Sequence, residues 1–264
     1  MASQPSNYVF PTVGKCIYCG SQAGTLSKEH IVPFGLGGVH ILPRASCEVC
    51  AKITAKFEGW CLQRMFGILR PQYHLPTRRP LQRRTDVRIT KTHNDGSVEF
   101  STIGVGEFPY LMLGFIAGEA GILRGASPTD NHNWRGVCDI NAEGFRGFGD
   151  GKSAVRIAVR TNWVKFSQLL AKMAHGFAVA NCGLDSFRPL LLNLILGRVA
   201  YPQYLIGGLS EIPAAEPHLY RVTVYDHSAN DKNYVMAEVR LFAALGTPAY
   251  RIVVGETDGK IVPA

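Results

Sequence analysis

Two pairs of cysteines with the same short spacing are the first candidates for chemistry in this sequence. Cys16 and Cys19 form one C-x-x-C pair, Cys47 and Cys50 form the second, and 27 residues separate the pairs. Such a pair folds back so that two thiolates face one metal ion, and two pairs complete a tetrahedron of sulfur around zinc. The sequence therefore predicts one structural zinc ion per chain. Four free thiols with a coincidental spacing are the alternative.

An acidic residue and a histidine lie side by side between the cysteine pairs. Glu29 and His30 precede Ile31 and Val32, which have strand character, and Pro33 then ends the strand. Neighbouring side chains of a strand point to opposite faces, so one can hold a metal ion while the other faces a substrate. Neutral imidazole accepts a proton near neutral pH, and carboxylates bind hard divalent cations. An ordinary surface pair is the alternative.

With these residues in place, residues 15–60 resemble the HNH endonuclease family, in the branch with two zinc-binding cysteine pairs. The resemblance rests on those pairs, on the Glu-His-Ile-Val-Pro core and on a Leu-Gly-Gly loop. It implies a ββα-metal fold and metal-dependent hydrolysis of phosphodiester bonds in nucleic acid, with DNA the expected substrate. It also implies that His30 is the general base that activates water. Glu29 would bind a catalytic Mg²⁺ or Mn²⁺ ion, and the four cysteines would hold the structural Zn²⁺.

The sequence departs from the family pattern at two places. Family members commonly have an Asn before the second cysteine pair, and residues 39–44 of this chain contain none. Family members often have His or Asn directly after the last cysteine, where it completes the metal site, and this chain has Ala51 there. His40 in the loop, or Thr54 or Glu58 on the following helix, are candidate substitutes, and Mg²⁺ also keeps several water ligands. The alternative function is a zinc-dependent nucleic-acid-binding or interaction module that does not cleave. A third class is an interaction or sensor protein built around the C-terminal region.

Basic residues are concentrated in one part of the chain. The sequence has 28 Lys+Arg against 20 Asp+Glu, and residues 61–91 contain eight basic residues and one acidic residue. Three prolines are expected to keep residues 69–81 extended, so that the side chains can follow a phosphate backbone. A solvated basic loop is the alternative. The side chains expected to contact nucleic acid are Arg78, Arg79, Arg83, Arg84, Lys52 and Lys56.

The elements that must position these residues follow from hydrophobic periodicity. A helix is predicted over residues 51–66, and a β-hairpin is predicted over 85–103 around an Asn-Asp-Gly turn. Residues 163–181 have the spacing of a long helix, and residues 187–196 predict a second, apolar helix. Three alternating segments between residues 219 and 254 predict an antiparallel meander.

The expected fold class is α+β, in three parts. Residues 1–66 would form an N-terminal zinc-stapled ββα-metal (HNH) module, 67–103 an Arg-rich connector with the hairpin, and 104–264 an α+β domain of unassigned role. An apolar content of 46% excludes wholesale disorder. No run of 18 apolar residues and no signal-peptide pattern occur, so a cytoplasmic protein with no membrane partner is expected. Nucleic acid is the expected partner, and homodimer formation stays open.

Overall fold

The computed structural model of this protein describes residues 7–108, 112–130, 134–140, 153–157, 160–209 and 211–261. Within these ranges the chain forms a mixed α+β fold, which confirms the fold class expected from the sequence. In the same ranges, no helix is both long enough and apolar enough to cross a lipid bilayer.

Two antiparallel strands and a helix carry the residues between and after the cysteine pairs. Strand β2 covers Ser27–His30 and pairs with β3, which covers His40–Ser46. The short strand β1, Tyr8–Val9, pairs in parallel with the other edge of β3. Helix α1 follows directly and covers Glu48–Trp60.

The ends of these elements differ from the predicted ones. The strand expected at Ile31 and Val32 ends just before them, and both side chains are buried in the core. Helix α1 begins three residues earlier than expected because Cys47 caps it, its Sγ accepting a hydrogen bond from the Cys50 N–H. The last predicted turn of the helix is π-helical, over Cys61–Met65.

The arginine-rich stretch is not extended throughout. Helix α2 covers Leu69–Gln72, and Pro80–Gln82 form a 3₁₀ turn, so the prediction of an extended segment over 69–81 is wrong for these turns. The predicted hairpin is confirmed: β4 covers Asp86–His93 and pairs antiparallel with β5, Val98–Gly104. Gly96 in the connecting turn has a φ of 83°, which glycine adopts without strain.

The longest helix, α3, covers Trp163–Cys182 and confirms the helix predicted over 163–181. Asn162 caps its start, where the side-chain oxygen accepts a hydrogen bond of 2.9 Å from the Lys165 N–H. Every residue from 166 to 179 is buried. A helix buried on all sides lies inside the molecule, so α3 is central to the fold.

The apolar helix predicted over 187–196 is mostly wrong. Only α4, Leu192–Ile195, is α-helical, and the segment begins instead with the strand β9, Arg188–Pro189. The Leu190 N–H donates to the Val254 carbonyl of a neighbouring strand. Because the sheet supplies partners for these backbone groups, tertiary contacts override the helical pattern.

The predicted meander is confirmed as three antiparallel strands. Strands β11, β12 and β13 cover Tyr220–Ala229, Lys232–Leu241 and Tyr250–Thr257. Asn230 and Asp231 form the first turn with φ values of 51° and 58°, in the left-handed region that these two residue types tolerate. The remaining strands are β6 (Met112–Ala117), β7 (Trp134–Ile140), β8 (Ser153–Ile157) and β10 (Ile206–Gly208).

One hydrophobic core joins the N-terminal and C-terminal elements. Helix α3 packs against α1 and against strands β11 to β13. Gly176 of α3 lies so close to Ile31 that an added Cβ atom would be 2.9 Å from Ile31 Cγ2, so the close approach depends on glycine. The Nε2 atom of His175 lies 2.7 Å from the Ile17 carbonyl oxygen. The core therefore continues across the boundary predicted at residue 66.

Candidate metal centre and basic cavity

The four cysteines of the two C-x-x-C pairs meet in one cluster. The Sγ atoms of Cys16, Cys19, Cys47 and Cys50 all lie within 4.8 Å of one another, and those of Cys19 and Cys47 are 3.7 Å apart. Tetrahedral zinc with Zn–S bonds of about 2.3 Å requires sulfur atoms about 3.8 Å apart. The cysteines are therefore positioned to bind one zinc ion, as predicted. Among the described residues, no other group of three or more metal-binding side chains is clustered in this way.

Local backbone geometry explains how each pair folds back. In the first pair, the Gly20 N–H donates to the Cys16 carbonyl, and Gly20 has a φ of 74°. In the second pair, the helix start brings the Cys50 N–H to the Cys47 Sγ. Burial raises the pKa of the Cys47 thiol, but the Cys50 backbone and the neighbouring thiols together lower it to about 7. Burial raises the pKa of Cys16 and Cys50, so a metal ion would have to displace their protons.

A cavity of about 1020 Å³ lies between β2, α1 and the arginine-rich stretch, and none of the four cysteines is among its lining residues. His30 lines it, and its acidic lining residues are Glu29 and Glu58. Its basic lining residues are Lys28, Arg64, Arg70, Arg78, Arg79, Arg83, Arg84 and Lys172. Eight basic side chains against two acidic ones give an excess of six positive charges, which attracts a polyanion.

Glu29 does not stand free in this cavity. Its side chain is buried, and Oε1 lies 2.6 Å from the Nζ atom of Lys172, which α3 contributes. Glu58 of α1 shares the same ammonium, with Oε1 at 2.8 Å. Burial raises the pKa of Glu29, while Lys172 acts in the opposite direction. Burial alone would lower the pKa of Lys172, but the two carboxylates more than offset this, so the lysine stays protonated.

His30 is half-buried at the end of β2 and is more accessible than Glu29. Its Nδ1 atom is buried and makes no well-formed hydrogen bond to the part of the chain that the structure describes. Burial lowers the pKa of the imidazole, and the positive charges of Lys28 and Arg78 lower it further. The ring is therefore neutral at neutral pH and able to accept a proton.

The four predicted arginines all line the cavity, but their side chains are held differently. Arg83 donates to the Leu75 carbonyl, and the guanidinium of Arg78 lies 5.5 Å from the centre of the Phe34 ring. The side chains of two others, Arg79 and Arg84, make no hydrogen bond or ion pair with any described residue. These two are the predicted arginines best placed to contact an external anion.

Comparison with known proteins found no match for this chain, whether to family models, to curated proteins or to solved structures. What the structure supports of the HNH resemblance is the four-cysteine cluster, which has the geometry of a zinc site.

Three other predicted site residues lie outside the cavity lining. His40 packs among aromatic rings, with its ring centre 5.0 Å from that of Phe177 and its Nδ1 atom 3.3 Å from the Tyr220 hydroxyl. Burial lowers the pKa of His40. Lys52 forms an exposed ion pair of 2.6 Å with Glu48, and Lys56 is likewise exposed on α1. The aromatic packing of His40 explains this histidine without a metal ion.

Lys172, which α3 brings into the cavity, is not among the site residues that the sequence motifs predicted. A signal for it was present: Lys172 stands between Ala171 and Met173 in a helix that is apolar on nearly every side. Such a helix must be buried, and a buried lysine requires a paired acid. The pattern predicts that a partner exists but cannot name it, since Glu29 is 143 positions away along the chain.

Proposed function

We propose that this protein is a metal-dependent endonuclease that hydrolyses phosphodiester bonds in nucleic acid, with DNA the expected substrate. The observation that carries the proposal is the position of His30. A neutral, half-buried imidazole lines a cavity with six excess positive charges. The four-cysteine cluster, which is positioned to bind zinc, lies in the segments of the same chain that precede β2 and begin α1. The order of β2, β3 and α1 around that zinc site supports a ββα-metal module, as the HNH resemblance implies.

The cavity suits a nucleic-acid backbone as its substrate. Its positive charge is supplied mainly by arginine, whose planar guanidinium can donate two parallel hydrogen bonds to a phosphate. Arg79 and Arg84, which line the same cavity as His30, would bind phosphates of the backbone. These contacts fix the backbone but carry no sequence information, so they favour cleavage with little dependence on base sequence.

His30 would act as general base on the attacking water. The water oxygen forms a bond to phosphorus while its proton passes to the imidazole, and the bond from phosphorus to the leaving sugar oxygen breaks. The leaving oxygen takes a proton from solvent. Because Nδ1 is buried, Nε2 would be the nitrogen that accepts this proton. A bound Mg²⁺ or Mn²⁺ ion would offset the negative charge that develops on the phosphate.

The donors for a divalent ion are few but of the right chemical type. Glu29 and Glu58 offer carboxylate oxygens at the cavity, and Thr54 also lines it, whereas Ala51 offers no ligand. Mg²⁺ is commonly held by one or two carboxylates and keeps several waters. In this proposal Glu29 would bind the ion, and with so few protein ligands the ion would be held loosely.

One observation favours a second candidate, a zinc-dependent nucleic-acid-binding module without cleavage. Both cavity carboxylates already have a cationic partner in Lys172, at 2.6 and 2.8 Å. If this ammonium is the permanent counter-ion of the two acids, the cavity needs no metal ion and binds nucleic acid without cutting it.

A plasmid-cleavage assay with Mg²⁺, Mn²⁺, Zn²⁺ or EDTA separates the two candidates. We expect cutting with Mg²⁺ or Mn²⁺ and its loss in His30→Ala, with DNA affinity largely unchanged. His218→Ala removes an exposed histidine outside the cavity and is the matched control, for which normal cutting is expected. Normal cutting by His30→Ala, or no cutting of DNA or RNA by the wild type with any of these ions, overturns the nuclease proposal.

A further inference from the structure

Lys172 connects helix α3, in the C-terminal region of the chain, to the end of strand β2. Its side chain is 1% exposed, and its Nζ atom lies 2.6 Å from Glu29 Oε1 and 2.8 Å from Glu58 Oε1. The same ammonium donates to the carbonyl of His30 and lies 3.4 Å from that of Ile31. One lysine therefore holds the acid, the main chain of the adjacent histidine and helix α1 together.

The number of donors decides what this lysine can do. An ammonium group has three N–H donors, and four oxygen atoms already surround it. No donor is left for a substrate phosphate, and the side chain has almost no exposed surface. Lys172 can therefore act on the chemistry only through Glu29 and His30.

We propose that Lys172 is a positioning residue for the His30 site, supplied by the C-terminal region of the chain. It fixes the direction of the Glu29 carboxylate and the backbone on which the His30 ring is carried. This inference rests on the proposed nuclease function and deepens it, because residues 1–66 alone would lack the group that orients their acid and base. A misplacement of about 1 Å can lower a rate on the order of 10²-fold.

The test must separate positioning from folding. Lys172→Met alone leaves two buried carboxylates without a cation and can fail to fold. The double variant Lys172→Met/Glu58→Gln keeps the net charge of the cluster at −1, as in the wild type, because one positive and one negative charge are both removed. Glu58→Gln alone is its reference, and Lys165→Met, which removes a half-buried lysine from the same helix outside the cavity lining, is the control.

Each folded, zinc-loaded protein is measured in two ways. Cleavage kinetics give kcat, KM for DNA and the half-saturating Mn²⁺ concentration, and ¹H–¹⁵N spectra of the imidazole groups report the environment of His30, assigned with His30→Ala. Relative to Glu58→Gln, we expect the double variant to lose at least tenfold in kcat, to keep KM within twofold, and to shift both the Mn²⁺ requirement and the His30 signal. Lys165→Met should match the wild type in all four.

The outcomes distinguish this inference from the proposed function. If the double variant has the kcat, Mn²⁺ requirement and His30 signal of Glu58→Gln, Lys172 is a structural contact only and the inference falls. If the wild type cuts nothing, the nuclease proposal falls. In that case the His30 signal still tests the positioning role, and an unchanged signal in the double variant would refute it. An altered signal in a protein that does not cut would retain the geometric part of the inference alone.

Discussion

The electrostatic role of the cavity can be tested by removing two arginines, Arg79 and Arg84. Both line the cavity, and neither side chain has a hydrogen bond or ion pair within the described ranges. Replacing them with Gln therefore removes positive charge without breaking an internal contact that the structure shows. Arg70 would be a poor choice, because its guanidinium donates to the carbonyls of Gly35, Leu62 and Pro76 and holds the cavity wall together.

The expected size of the effect follows from the cavity lining. Five basic lining side chains make no hydrogen bond or ion pair with described residues, namely Lys28, Arg64, Arg78, Arg79 and Arg84. If each neutralises one DNA phosphate, the slope of log K against log salt is about −4.5, since each contact contributes about −0.9. Raising salt from 50 to 200 mM would then weaken binding about 500-fold. With two contacts removed, the slope becomes about −2.7 and the loss about 40-fold.

Fluorescence anisotropy of a labelled DNA duplex measures these slopes. The His30→Ala background with no added Mg²⁺ or Mn²⁺ prevents cutting, and EDTA is avoided so that the zinc site stays loaded. The matched control is Arg124→Gln/Arg198→Gln, which removes two exposed arginines outside the cavity lining and should leave the slope near the wild-type value. Equal slopes for the wild type and Arg79→Gln/Arg84→Gln would refute the assignment of this cavity to the phosphate backbone.

Three further predictions concern zinc, the departure from the family pattern and a buried histidine. Elemental analysis should find one zinc per chain. Cys50→Ser should lose the zinc together with structure around the site, since structural zinc contributes on the order of 10 kcal/mol to small modules. Zinc-free folded protein would contradict this prediction. Ala51→Asn should lower the Mn²⁺ concentration needed for half-maximal cutting, because Ala51 lines the cavity and offers no ligand; an unchanged requirement would count against an ion at this position. Burial lowers the pKa of His175 to about 4. The neutral form of His175 therefore makes its full contribution to the free energy of unfolding above about pH 6.5. This contribution, up to about 3 kcal/mol, is lost as pH falls from about 6.5 through 4. Denaturant unfolding of His175→Gln should lack this part of the pH dependence, and identical curves for the two proteins would exclude it.

The sequence by itself determined the features whose causes are local. The C-x-x-C spacing sets which sulfurs can share a metal ion, and the four Sγ atoms do cluster within 4.8 Å. The Asn-Asp-Gly turn between two alternating segments fixed the hairpin, and the period of the apolar residues fixed α3 to within one residue of its observed end. In each case the deciding contacts lie within a few residues or within one repeating pattern.

The tertiary structure alone decided which side chains meet in the cavity. Lys172 forms an ion pair with Glu29 in the core. His40 packs in an aromatic cluster that includes Phe177, and Arg83 donates a hydrogen bond to a backbone carbonyl. Each of these partners is set by packing between elements distant in sequence or by the path of an irregular segment. Residue type and spacing determine what a side chain can bind. The packing of the whole chain determines which partner it does bind, because burial leaves each polar group only the partners that the core brings to it.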